Sequence, residues 1–118
     1  MTVLAVMLGG AVGAGLRYGL SLILNPPIGA GLPWGTLTAN LLGCLLIGWL
    51  SSTLSEAPEA VRLGVLVGVL GGFTTFSSFG LETIRLMQAG EWMSAVTYVL
   101  LSNGFGVLAV ILGLKIAG

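Results

Sequence analysis

The chain has 118 residues, of which 56% are hydrophobic and 7% charged, with a mean hydropathy of +1.09. Soluble domains carry about a quarter charged residues, so the composition implies a single membrane-embedded domain spanning residues 1–118. Four basic and four acidic residues cancel, which leaves no basic patch for a nucleic acid; with no histidine, no aspartate and one cysteine, Cys44, the usual metal-ligand sets and nucleophilic triads are missing and an enzyme is not expected.

The first apolar run starts at Met1 without a basic leader region and reads as a retained helix over residues 2–24, stopping before Asn25-Pro26-Pro27. Small residues recur through it at four-residue spacing (Gly9 with Gly13, Ala11 with Gly15, Gly15 with Gly19), a pattern that permits close helix approach in lipid. Arg17 is its only charge. It either snorkels to the nearer interface or faces a watery mouth.

A second helix is expected over 33–55, with Trp34 and Trp49 toward opposite headgroup layers. Thr36, Asn40, Gly43 and Ile47 share one face, and Asn40 brings two amide donors into the bilayer interior. The polar connection Ser55-Glu56-Ala57-Pro58-Glu59 leads into a third helix over 61–88, with Ser55 or Glu56 as candidate caps and Gly64, Gly68 and Gly72 as a second small-residue face.

The apolar segment from Arg62 to Arg85 is long enough, at about 1.5 Å per residue, to cross a core of about 30 Å. In its middle stand Gly71-Gly72-Phe73-Thr74-Thr75-Phe76-Ser77-Ser78-Phe79. Glycine weakens a helix, and each loosened backbone group in hydrocarbon needs a partner, so a helix break buried against protein is expected here. On an ideal helix, Thr74, Thr75, Ser77 and Ser78 would form one row and Phe73, Phe76 and Phe79 the opposite row. Beyond it, Glu82 and Arg85 lie three apart and are placed to pair. Gly90 is suited to ending the third helix, and a fourth is expected over 92–115, carrying Tyr98 and Ser102 one turn apart.

The central run closely resembles the third-helix signature of the Fluc/CrcB family of fluoride channels, with Ser78 where threonine is more usual. The similarity extends to Arg17, to Asn40-Leu41-Leu42-Gly43, to chain length and to the four apolar segments. It implies a fluoride pathway using Asn40, Phe76, Phe79, Ser77, Ser78, Thr36, Thr75, Tyr98 and Ser102, flanked by Glu82 and with Arg17 at its mouth. It also implies a structural sodium ion at a dimer axis, held by backbone carbonyls of Gly71 and Thr74. Gly106 stands where some members continue with another serine, so the far end of the polar track departs from the pattern.

Basic residues divide evenly between the two sides: Arg62 and Lys115 on one, Arg17 and Arg85 on the other. The positive-inside rule then gives no preferred orientation, and two opposite copies can pair about an axis in the membrane plane. The resemblance implies the same arrangement: an all-α, dual-topology antiparallel homodimer in the cell inner membrane, passing fluoride passively outward. The alternative is a proton-coupled exporter of the small multidrug resistance type, which needs an acidic residue inside the first helix, where this chain has none. A non-transporting assembly factor would leave the hydroxyl and phenylalanine residues without a purpose.

Overall fold

The computed structural model describes all residues from Met1 to Gly118 and contains helices and turns but no strand. Four helical spans are long and apolar enough to cross a membrane: Thr2–Leu24, Trp34–Thr53, Glu59–Gln88 and Trp92–Ala117. The molecule measures 48 × 29 × 19 Å, and its long dimension matches a bilayer with its headgroup layers, about 40–45 Å.

Glycine decides how the spans pair. The first span lies against the first half of the third, and their contact is backbone on backbone. A Cβ on Gly9 would run into the carbonyl of Gly64, one on Gly13 into that of Val69, and one on Gly72 would come within 2.6 Å of the Gly10 carbonyl. In lipid there is little hydrophobic drive between helices, so this close van der Waals fit supplies much of the attraction. Gly15 and Gly19 meet nothing within the chain. The second span packs on the last part of the fourth through a similar exchange, Gly48 against Val110 and Gly113 against Leu45.

The third span is not one helix. It begins after Pro58, widens into a π turn over Gly64–Val69, resumes as an α-helical turn at Leu70–Phe73, and then stops. Neither Ser55 nor Glu56 caps its start, which has no side-chain cap; Glu59 instead accepts a hydrogen bond from the Thr2 hydroxyl at 3.1 Å. Thr74 is extended (φ −93°, ψ 158°), and the helix restarts at Ser77 and runs to Gln88. Gly90, at φ +81°, then closes the span, with Glu91 N–H donating to the Leu86 carbonyl.

The break removes the ideal-helix rows expected from the sequence. Phe73 and Phe79 are buried at 8% and 9% exposure, whereas Phe76 is 80% exposed. The second half of the third span packs on the start of the fourth, and here lies the small core of Leu37, Phe79, Leu86, Ala95 and Tyr98. A second π turn, Leu101–Phe105, interrupts the fourth span.

Candidate functional site

The break is stitched by a single side chain from the second span. Asn40 Nδ2 donates to the Thr75 carbonyl at 3.0 Å, and its Oδ1 accepts from Thr75 N–H at 2.8 Å. Both polar groups of the most loosened residue are thereby satisfied, as a low-dielectric interior demands. Thr75 in turn uses its hydroxyl oxygen to accept from Ser78 N–H at 3.2 Å, which caps the restarted helix. Thr74 folds its hydroxyl back onto the Leu70 carbonyl at 2.9 Å.

Arg17 reaches the same place from the first span, donating from Nε to the Gly72 carbonyl at 3.3 Å. Its charge is half-buried at the level of the break. With the Leu70, Gly72 and Thr75 carbonyls engaged, those of Gly71, Phe73 and Thr74 receive no hydrogen bond within the chain. No group of three or more acidic, histidine or cysteine side chains gathers anywhere. Any cation here would be held by neutral backbone oxygens, which suit a hard monovalent ion and sit at the negative end of a helical segment. Gly71 is exposed, with open space in front of it.

Two cavities share the expected residues between them. The larger, about 450 Å³, is an open-sided groove lined by Asn40, Gly71, Thr74, Thr75, Phe76, Phe79 and Ser102. The Phe76 and Phe79 rings lie 5.7 Å apart, tilted by 44°. Ser102 Oγ is the one buried side-chain polar atom without a partner, and the second N–H of Asn40 Nδ2 is likewise uncommitted.

The smaller cavity, about 210 Å³, is lined by Arg17, Ser21, Asn25, Thr36, Ser78 and Glu82 and walled by the loop between the first two spans. Tyr98 sits between the two. It is fully buried, its ring 5.0 Å from that of Phe79 and its hydroxyl donating to Glu82 Oε1 at 2.9 Å. Ser77 is exposed, lines neither cavity, and lies 3.5 Å from the Thr75 hydroxyl.

Glu82 does not pair with Arg85. Thr36 Oγ1 donates to Glu82 Oε2 at 3.0 Å and Asn25 Nδ2 donates to it at 3.2 Å, so with Tyr98 the carboxylate holds three donors. Arg85 turns to Gln88 instead, at 3.2 Å. The part-buried cluster offers the carboxylate neutral donors from two spans and from the residue that ends the first, which a solvated arginine on the same helix face does not outweigh. Asn25 is the residue that sequence reasoning missed. Standing before two prolines it reads as a turn former, and its bonds to residues ten and more positions away leave no local signal.

The family described as CrcB-like protein, Camphor Resistance (CrcB), matches residues 4–114 of the chain. The chain is 46% identical over 114 residues to the fluoride-specific ion channel FluC of Chloroflexus aurantiacus, covering 94% of this chain and 90% of that protein. It is 47% identical over 119 residues to the FluC of Magnetococcus marinus, covering 98% and 97%. Against the FluC of Thermus thermophilus the identity is 48% over 118 residues, covering 98% and 94%.

Proposed function

This chain belongs to the CrcB family, and from that membership we propose that it is a passive fluoride channel, not an enzyme, that lowers cytoplasmic fluoride. It is a multi-pass membrane protein, and we place it in the cell inner membrane. The observation that carries the reading within the molecule is the groove. Asn40 with an amide N–H to spare, Ser102 with an unpartnered hydroxyl buried behind the wall, and two tilted phenylalanine rings line one space beside the helix break.

A fluoride ion leaves water only where other donors replace its shell, and it moves on only where none holds it too tightly. Asn40, Ser102 and Thr75 supply neutral donors, and the ring edges of Phe76 and Phe79 carry the positive part of the aromatic quadrupole. Arg17 supplies positive potential in the smaller cavity, which serves as a mouth together with Thr36, Ser78 and Glu82. Tyr98 links mouth and groove by bonding Glu82 while packing on Phe79, and Ser77 extends the hydroxyl series on the exposed side.

The groove is open along one side in a single copy, and the charge count leaves orientation unbiased. Both features support an antiparallel homodimer in which a second copy closes the groove. The free carbonyls of Gly71 and Thr74 support a structural sodium ion between the copies, where it would offset the negative ends of two helical segments. A small multidrug resistance-type exchanger lacks support: the first span carries no acidic residue, and Glu82, on the third span, is held by three donors.

The test is fluoride efflux from liposomes reconstituted with the purified protein. We expect efflux well above that of protein-free liposomes; equal rates would reject the channel.

A further inference from the structure

The carboxamide of Asn25 is used on every side. Its Oδ1 accepts from Gly35 N–H at 2.6 Å and from Thr36 N–H at 3.2 Å, two amides in the first turn of the second span that lack helical partners. This fixes the amide's orientation, because its NH₂ group in that place would face two donors. Nδ2 is therefore turned toward the mouth, where it donates to Thr36 Oγ1 at 3.3 Å and Glu82 Oε2 at 3.2 Å.

One consequence concerns the Thr36 hydroxyl. Since its oxygen receives a proton from Asn25, its own hydrogen goes to Glu82 Oε2, at 3.0 Å. Asn25, Thr36 and Glu82 thus form a closed ring of hydrogen bonds in which each proton has one place to go. Ser78 and Arg17 line the same cavity, with room around them for a released carboxylate.

We propose that Asn25 is a positioning residue for the permeation pathway, acting through Thr36 and Glu82 without touching the anion. Held by Asn25, Glu82 stays against the wall of the mouth and Thr36 keeps one hydroxyl orientation. Without the Asn25 N–H groups, Glu82 loses one of three donors and swings into the cavity, where its charge repels an entering anion. The role rests on reading Thr36 and Glu82 as pathway residues.

Asn25→Asp separates positioning from capping. An aspartate caps a helix as well as an asparagine does, so the bonds to Gly35 and Thr36 N–H persist while the donors to Thr36 and Glu82 are replaced by a second carboxylate. The size-exclusion profile should stay near wild type, while the melting temperature falls by the repulsion between the two carboxylates. Fluoride efflux should fall about tenfold or more, as loss of a hydrogen bond to a charged group predicts.

The exchange variant, Asn25→Asp with Glu82→Gln, restores one carboxylate facing one amide and should recover at least about fivefold of that loss, a coupling that independent sites do not show. Glu82→Gln alone completes the cycle. Wild-type efflux in Asn25→Asp, or an exchange variant no faster than Asn25→Asp, overturns the proposal while leaving the channel intact. If Asn25→Asp does not assemble, assembly of the exchange variant becomes the readout: recovery supports the role and continued failure overturns it. Absence of efflux from the unaltered protein removes the channel reading itself, which is a different result.

Discussion

The two halves of the third span do opposite jobs with opposite materials. The first half, up to Phe73, is held by shape: Gly64, Gly68 and Gly72 let its backbone lie on that of the first span, and the only side chains that bond to it from outside are Thr2 at its start and Arg17 and Thr74 at its end. The second half, from Ser77, is held by polar side chains: Glu82 gathers Asn25, Thr36 and Tyr98. Backbone contact leaves nothing that can rotate. A side-chain network can exchange partners without moving a helix. The contrast teaches that a membrane protein can set rigid support and adaptable polar surface end to end along one span, provided the joint between them is satisfied.

Breaking the first half should have the largest effect. In Gly13→Leu the new side chain meets the Val69 carbonyl and, at 2.7 Å, Phe73 N, and backbone cannot yield as a side chain does. The cost exceeds the about 1–3 kcal/mol of ordinary overpacking. We expect no monodisperse protein on size exclusion. Gly71→Leu is the control, since a Cβ there meets nothing within 4 Å. The single chain should fold, and any loss of flux would then report on the proposed partner copy and the cation proposed to lie between the two.

Cutting the joint comes next. Asn40→Asp keeps the acceptor for Thr75 N–H but sets an anionic oxygen against the Thr75 carbonyl, so fluoride efflux should disappear. Assembly, followed by size exclusion, should be retained. Normal efflux would remove Asn40 from the lining.

The second half can be tested by its aromatic pair. Phe79 is wedged between Phe76 and Tyr98, while Phe76 is mostly exposed in one copy. Phe79→Ile should lower both flux and melting temperature, the latter by an amount corresponding to about 0.5–1.5 kcal/mol for a lost aromatic pair. Phe76→Ile should lower flux and leave the melting temperature of the single chain unchanged. Equal thermal effects would mean that the rings differ less in role than in exposure.

The smallest effect is expected from Ser78→Thr. Ser78 contributes its backbone N–H to Thr75 and its side chain makes no hydrogen bond, so an added methyl facing the cavity should leave efflux within about twofold.

Much of this was legible in the residue order. Four apolar segments bounded by Pro26-Pro27, Pro58 and Gly90 give the spans, and a glycine pair followed by hydroxyl residues at mid-membrane gives the break. The phenylalanine rows depend on continuous helical phase through Thr74, where the extended backbone resets the direction of every later side chain. Glu82 looked like half of a local ion pair because spacing within one helix is visible and three donors on other elements are not. Asn25 was hidden for the same reason. The two π turns, at Gly64–Val69 and Leu101–Phe105, also lack a mark in the sequence.

The three carbonyls at the break that take no hydrogen bond bear on the life of a newly inserted chain. Each uncompensated group in hydrocarbon costs several kcal/mol, so a solitary copy is raised in energy at one seam and relaxes when that seam is covered. In the two-copy assembly proposed above, the covered form grows with the square of the number of solitary copies. Halving synthesis should therefore more than halve the mature population while solitary copies predominate, and a surplus of one orientation should be cleared in preference to matched pairs.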